Sequence, residues 1–207
     1  MKKVILFTQR VEIVEAYQER RDCADQRVAD FIQACGYLPI PVPNNGNIAK
    51  EIVQFIKPAG LILTGGNSLA RYGGNASERD LVDSLLIGTA VKSKLPLFGF
   101  CRGMQSILEY FGNELIDVEG HVAVKHKISG DEPSKAVNSY HRQGCRQLKN
   151  NELQVVMRSD DGVIEKIRHK ELGILGIMWH PEREAPYSNE DIKMLVDLVE
   201  GNGGNGL

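Results

Sequence analysis

The chain has 207 residues, 42% of them hydrophobic and 25% charged, with a formal net charge of −2. This length supports one domain with a sizeable core, and the composition is that of an ordinary globular protein. The near-neutral charge argues against a nucleic-acid or membrane-surface partner, and no apolar run approaches the roughly 18 residues that a membrane helix needs.

Lys3 to Phe7 is predicted as a first core strand. A signal peptide is the poorer reading, because the apolar run is short and Gln9, Arg10 and Glu12 follow at once. Asp22 to Cys35 is predicted as a helix with Asp22 as N-cap. Val28, Phe31, Ile32 and Cys35 recur at helical spacing, and Gly36 ends it. Leu38 to Val42 reads as extended, Ile48 to Ile56 as a short helix, and Gly60 to Thr64 as a buried strand. Ser77 is a predicted N-cap for a helix carrying Leu81, Leu85 and Leu86. Leu95 to Phe100 is then a strand and Arg102 to Phe111 a helix. This alternation predicts an α/β fold with a parallel sheet covered by helices. From Glu114 to about Ile177 the pattern changes to short strands at 122–128, 153–158, 163–168 and 173–178, with Ser159-Asp160-Asp161-Gly162 as a hairpin signal. Asn189 to Glu200 closes the chain as a helix. Residues 1–200 read as one domain, and the glycine-rich stretch 201–207 as a tail expected to fray. The four cysteines, Cys23, Cys35, Cys101 and Cys145, form no C-x-x-C pair, so a reduced, cytoplasmic protein is expected.

Gly99-Phe100-Cys101-Arg102-Gly103 stands where a buried strand turns into a helix. It is the thiol version of a nucleophile elbow: the flanking glycines permit a tight turn, and the helix start favours thiolate over thiol. A nucleophilic cysteine needs a base, and the base needs an orienting group. His180, in Ile177-Met178-Trp179-His180-Pro181-Glu182, follows a buried strand, and strand ends are where sites assemble in a parallel sheet. Glu182 is near enough in sequence to bind the imidazole. Backbone N–H donors for an oxyanion are available from Arg102 and from Leu63-Thr64-Gly65-Gly66-Asn67. His121 and His126 show no carboxylate or cysteine at a metal-ligand spacing, so no metal site is expected, and no cofactor is called for. His169 is expected to be solvated.

Gly99-Phe100-Cys101-Arg102-Gly103-Met104-Gln105, Thr64-Gly65-Gly66 and Trp179-His180-Pro181-Glu182 together resemble the nucleophile, oxyanion and His-x-Glu elements of the class I glutamine amidotransferases and their γ-glutamyl hydrolase relatives. The resemblance spans nearly the whole chain. It implies a flavodoxin-like three-layer sandwich with a central, mostly parallel sheet and a small antiparallel sheet. It also implies that Cys101 attacks a γ-glutamyl carbonyl, His180 relays the proton and Glu182 orients His180. The N–H groups of Gly66, beside Gly65, and of Arg102 would hold the oxyanion, and Gln105 would contact the glutamyl group. Val137-Asn138-Ser139-Tyr140-His141-Arg142-Gln143 resembles an Asn-Ser-x-His-x-Gln segment of the hydrolase branch, which implies substrate-binding roles for Asn138, Ser139, Tyr140 and His141.

Glu19-Arg20-Arg21-Asp22 and Arg71-Tyr72-Gly73-Gly74-Asn75 add charge near the expected site mouth. Arginines there could clamp phosphate, which suggests Arg20, Arg21 and Arg71 as contacts to a phosphorylated, nucleotide-linked leaving group. A charged helix start and a flexible loop are the plainer alternatives. The chain shows no attached synthase domain, which favours a self-contained hydrolase. A glutaminase serving a separate synthase, a hydrolase of a polyamine, folate or amino-acid conjugate, and a non-catalytic binding protein on the same fold stay open.

Overall fold

The computed structural model describes residues 2–201. In chain order its strands are β1 (Val4–Thr8), β2 (Arg10–Val14), β3 (Glu19–Cys23), β4 (Leu38–Val42), β5 (Gly60–Leu63), β6 (Leu97–Phe100), β7 (Ile116–Asp117), β8 (Val122–Gly130), β9 (Lys135–Tyr140), β10 (Gln143–Gly144), β11 (Leu153–Ser159), β12 (Ile164–His169) and β13 (Ile174–Ile177). The helices are α1 (Gln26–Ala34), α2 (Gly46–Ile56), α3 (Ser77–Ser93), α4 (Arg102–Tyr110) and α5 (Asn189–Glu200).

Successive side chains of a strand point to opposite faces of its sheet, and this makes the layers. Leu6, Leu61, Leu63 and Leu97 enter one core with Val82, Leu86 and Ile87 of α3 and Met104, Ile107 and Leu108 of α4. Ile5, Phe7, Ile62, Phe98 and Phe100 enter the other with Val28, Phe31 and Ile32 of α1 and Leu195 of α5. The central strands are buried on both sides, which is why β1, β5, β6 and β13 read as continuous apolar runs.

The main sheet has nine strands in the order β4-β1-β5-β6-β13-β12-β11-β8-β9. Pairing is parallel from β4 to β13 and antiparallel from there to β9. The expected antiparallel strands thus continue the central sheet. Two small antiparallel pairs, β2 with β3 and β7 with β10, stand outside it. Among the described residues, no helix is long and apolar enough to cross a membrane.

Two helix starts differ from expectation. Residues 19–23 form a strand, and α1 begins after Asp25, whose carboxylate accepts the Arg27 N–H. Asp22 instead accepts from the backbone and side chain of Asn44. The N-cap of α3 is Ala76, with no side-chain cap, and Ser77 is already helical. The tail 202–207 lies outside the described residues.

Candidate active site

The elbow forms because α4 approaches β5 and β6 more closely than side chains would allow. A Cβ on Gly103 would stand 2.0 Å from the Leu63 carbonyl oxygen, and one on Gly99 2.7 Å from the Gly103 carbonyl carbon. Between them Cys101 takes φ 51° and ψ −112°. The Ile177 carbonyl accepts its N–H at 2.8 Å, and its own carbonyl accepts the Gln105 N–H at 3.1 Å. β13 runs beside β6, with Ile177 opposite Phe100, so the residues just past both strands meet at one end of the sheet.

His180 arrives there and faces the thiol. Its Nδ1 lies 2.7 Å from Glu182 Oε1, and all three side chains are buried. A carboxylate can only accept, so Nδ1 carries the proton there and Nε2 is left for Cys101. Burial raises the Cys101 thiol, but the His180 charge, the His180 hydrogen bond and the Arg102 backbone N–H outweigh it, and the thiol is held below its ordinary value. Burial lowers His180, but the Cys101 thiolate and Glu182 outweigh it and lift the imidazole to about 9. Both shifts favour the thiolate–imidazolium form of the pair.

The loop after β5, from Thr64 to Asn67, closes the other side. A Cβ on Gly65 would stand 2.7 Å from His180 Cε1, so only glycine lets this loop lie against the imidazole. Arg79, fully buried on α3, holds the loop: it donates to the Thr64 and Gly65 carbonyls at 2.6 and 2.9 Å and also to the Gly66 carbonyl. Asn67 then bridges the loop to β2, accepting the Val11 N–H at 2.9 Å and donating to the Val11 carbonyl at 3.0 Å. The sequence offered no local signal for Arg79, because its partners lie 13–15 residues away.

The other expected residues divide. Asn138 brackets the base, accepting the His180 N–H and donating to the His180 carbonyl, each at 2.9 Å. Tyr140 packs edge-on against the His180 ring at a centroid distance of 5.6 Å. Ser139 is fully buried and donates to the His121 carbonyl, and His141 turns toward Glu165; neither faces the thiol. Gln105 donates to the Gln143 carbonyl at 2.8 Å. The Arg102 side chain is buried in an ion pair with Asp80 and Asp83, so only its backbone belongs to the elbow.

Arg20 pairs with Glu78, Arg21 with Glu19, and Arg71 stands 3.9 Å from both Glu109 and Glu114. None lines the cleft beside His180 and Glu182. That cleft is lined instead by Arg10, Asp25, Gly65, Gly66, His180 and Arg183 among others. Arg10 and Arg183 were missed because each is separated from the elbow in sequence: Arg10 sits on β2, and Arg183 ends the short helical turn of Pro181–Arg183.

The expected lack of a carboxylate near His121 and His126 is corrected by the fold: Glu165 of β12 is buried against both, and against His141. His169 is half-buried rather than solvated, and its Nδ1 accepts the Glu171 and Leu172 N–H groups.

The family model for glutamine amidotransferase class-I matches residues 21–197. The chain belongs to this family. A γ-glutamyl-CDP-amidate hydrolase of Campylobacter jejuni is 30% identical over 193 residues, covering 90% of this chain and 93% of that protein. The γ-glutamyl-γ-aminobutyrate hydrolase PuuD of Escherichia coli is 29% identical, covering 76% of this chain and 77% of that one. A crystal structure of a putative GMP synthase component from Thermoplasma acidophilum superposes with a TM-score of 0.71 over 98% of this chain and 97% of that one, at 18% identity, and shows the shared fold. In this chain the elbow, His180 and the glycine loop lie at the carboxyl ends of β6, β13 and β5, where ligands bind in open α/β sheets.

Proposed function

We propose that this class I amidotransferase hydrolyses a γ-glutamyl–nitrogen bond through a glutamyl thioester on Cys101. The observation that carries the reading is the buried Cys101–His180–Glu182 arrangement, with His180 held by Asn138 and the facing glycine loop held by Arg79. The thiolate attacks the γ-carbonyl carbon, and the backbone N–H groups of Gly66 and Arg102 take the developing oxyanion. The imidazolium of His180 gives its proton to the departing nitrogen. Neutral His180 then draws a proton from water, the hydroxide oxygen bonds to the thioester carbonyl, and the C–S bond breaks to release glutamate and restore the thiolate.

The substrate we favour is γ-glutamyl-CDP-amidate, which would yield glutamate and cytidine diphosphoramidate. Two things support it: the likeness to the Campylobacter jejuni hydrolase over most of both chains, and the cleft lining of Arg10 and Arg183, cations suited to a diphosphate. A reducing, cytoplasmic setting agrees with the four free cysteines.

The test is glutamate release from γ-glutamyl-CDP-amidate, a γ-glutamyl amino-acid or polyamine amide, and glutamine, offered in parallel. The nucleotide-linked substrate is expected to be turned over with the highest kcat/KM, and Cys101→Ala to abolish turnover while substrate binding persists. Glutamine as the preferred substrate would make the chain a glutaminase instead. Cys101→Ala activity within about tenfold of wild type would overturn the thioester route.

A further inference from the structure

His121, His141 and Glu165 come from three separate segments: the residue before β8, the link after β9, and β12. All three side chains are buried. His121 Nδ1 lies 3.3 Å from His141 Nε2, and each lies 3.4 Å from Glu165 Oε1. Four ligands at 2.0–2.1 Å around a tetrahedral zinc ion stand about 3.3–3.4 Å apart, so these three atoms already occupy three corners of such a site.

The outer partners decide what the three atoms offer. His141 Nδ1 lies 3.1 Å from the Gln143 carbonyl oxygen, which can only accept, so the proton of a neutral His141 sits on Nδ1. His121 Nε2 faces the Asp161 carboxylate at 3.4 Å, which draws its proton to that side. Each imidazole then presents a lone pair to the other and to Glu165, and this pairing of a ligating ring nitrogen with an outer carbonyl or carboxylate is what orients histidines on metals. Glu165 is completely buried, yet neither of its oxygens has a partner in hydrogen-bond geometry. A carboxylate buried so is costly unless a cation meets it. His126 Nε2 stands 3.5 Å from the other Glu165 oxygen and is likewise buried without a hydrogen-bond partner.

We propose that His121 Nδ1, His141 Nε2 and Glu165 Oε1 bind one divalent transition-metal ion of the zinc type. Water completes the coordination, with Asp161, the Gln143 carbonyl and His126 as outer supports. The site is structural. It ties the start of β8 and the end of β9 to β12, and β9 carries the Asn138 that brackets His180.

The test uses the full chain in wild-type and Cys101→Ala forms, so that the catalytic thiol cannot be the ligand. After dialysis against a chelator, Zn²⁺ alone is added back, and stoichiometry, affinity by competition with a chromophoric chelator, and melting temperature are read. Both forms are expected to take up about one zinc per chain with a rise in melting temperature. Glu165→Gln should abolish tight binding. Asp161→Asn, at a part-exposed side chain, should weaken binding about 10–100-fold. Saturating zinc that leaves the Cys101→Ala protein without bound metal, or binding that is unchanged in a folded Asp161→Asn, would overturn the proposal. Neither measurement needs turnover, so its failure leaves the hydrolase reading untouched.

Discussion

At the scale of single residues, Cys101 is held where few non-glycine residues sit. A positive φ with ψ near −110° costs about 1–3 kcal/mol and persists only where neighbours over-determine it; here the Ile177 carbonyl and the Gln105 N–H do so. The titration of the site follows from the same geometry. The thiol is held below its ordinary value, and His180 is raised to about 9. The thiolate exists above its own lowered pKa and the imidazolium below about 9, so kcat/KM against pH should be a bell whose basic limb lies near 9. Iodoacetamide should alkylate Cys101 at about pH 6, where ordinary thiols are nearly inert. Burial pushes Cys35 up to about 12 and raises Cys145, so both should stay unmodified in a peptide map. His180→Gln should remove the low-pH reactivity of Cys101. A thiol that reacts only in the range of free cysteine would contradict the ion pair.

At the scale of elements, the site depends on how closely α4 and the β5 loop approach. Gly103→Ala would drive a Cβ into the Leu63 backbone, which cannot move aside like a flexible side chain. The expected loss is about 1–3 kcal/mol or more of stability, read from denaturant melts, together with lower turnover as the elbow shifts. Arg79 is a positioning residue, and its substitution separates structure from catalysis. Arg79→Met strips the donors from the carbonyls of Thr64, Gly65 and Gly66. It should lower kcat more than about tenfold, short of the 10²–10³ for loss of a direct oxyanion donor, with KM little changed. Arg79→Lys keeps the charge without the fork and should restore part of kcat. A rise in KM alone would assign Arg79 to substrate binding instead. These elements also show what was legible. Runs such as Ile5-Leu6-Phe7, Leu61-Ile62-Leu63 and Ile174-Leu175 announced central strands, because strands buried on both faces are apolar throughout. The meeting of Cys101 and His180 was legible because each follows such a run. The β2–β3 hairpin was not: Glu19, Arg20, Arg21 and Asp22 are exposed and carry no apolar alternation. What holds the hairpin is the ladder to β2 and the Asn67 bridge, both invisible to local pattern. The histidine cluster was hidden for the same reason. His121, His141 and Glu165 are dispersed over 44 positions and meet only because β8, β9, β11 and β12 adjoin in one sheet.

At the scale of the whole molecule, the parallel half of the sheet carries Cys101, His180 and the glycine loop, and the appended elements border them. The antiparallel half brings Asn138 and Tyr140 to His180. The β2–β3 hairpin brings Arg10 against Gly66, where a Cβ would stand 2.9 Å from the Arg10 side chain. Arg183, stacked on Tyr140 at 4.3 Å, joins Arg10 on a cleft border that also carries Asp25 and Glu182. If that border reads a diphosphate, Arg10→Ala and Arg183→Ala should each raise KM for γ-glutamyl-CDP-amidate about tenfold or more. They should leave kcat nearly unchanged and barely affect a γ-glutamyl amide with a neutral leaving group, because an interaction made equally in the ground and transition states appears in KM. The KM effect should also shrink as salt rises, since both side chains reach solvent and screening weakens such contacts. Equal losses on the two substrates would mean that the arginines bind the α-carboxylate common to both. Arg10→Lys separates a third role. It keeps the aliphatic stem that packs on Gly66 and the charge, and removes only the bidentate fork. Recovery of the neutral amide but not of the nucleotide substrate in that variant would place the fork on phosphate.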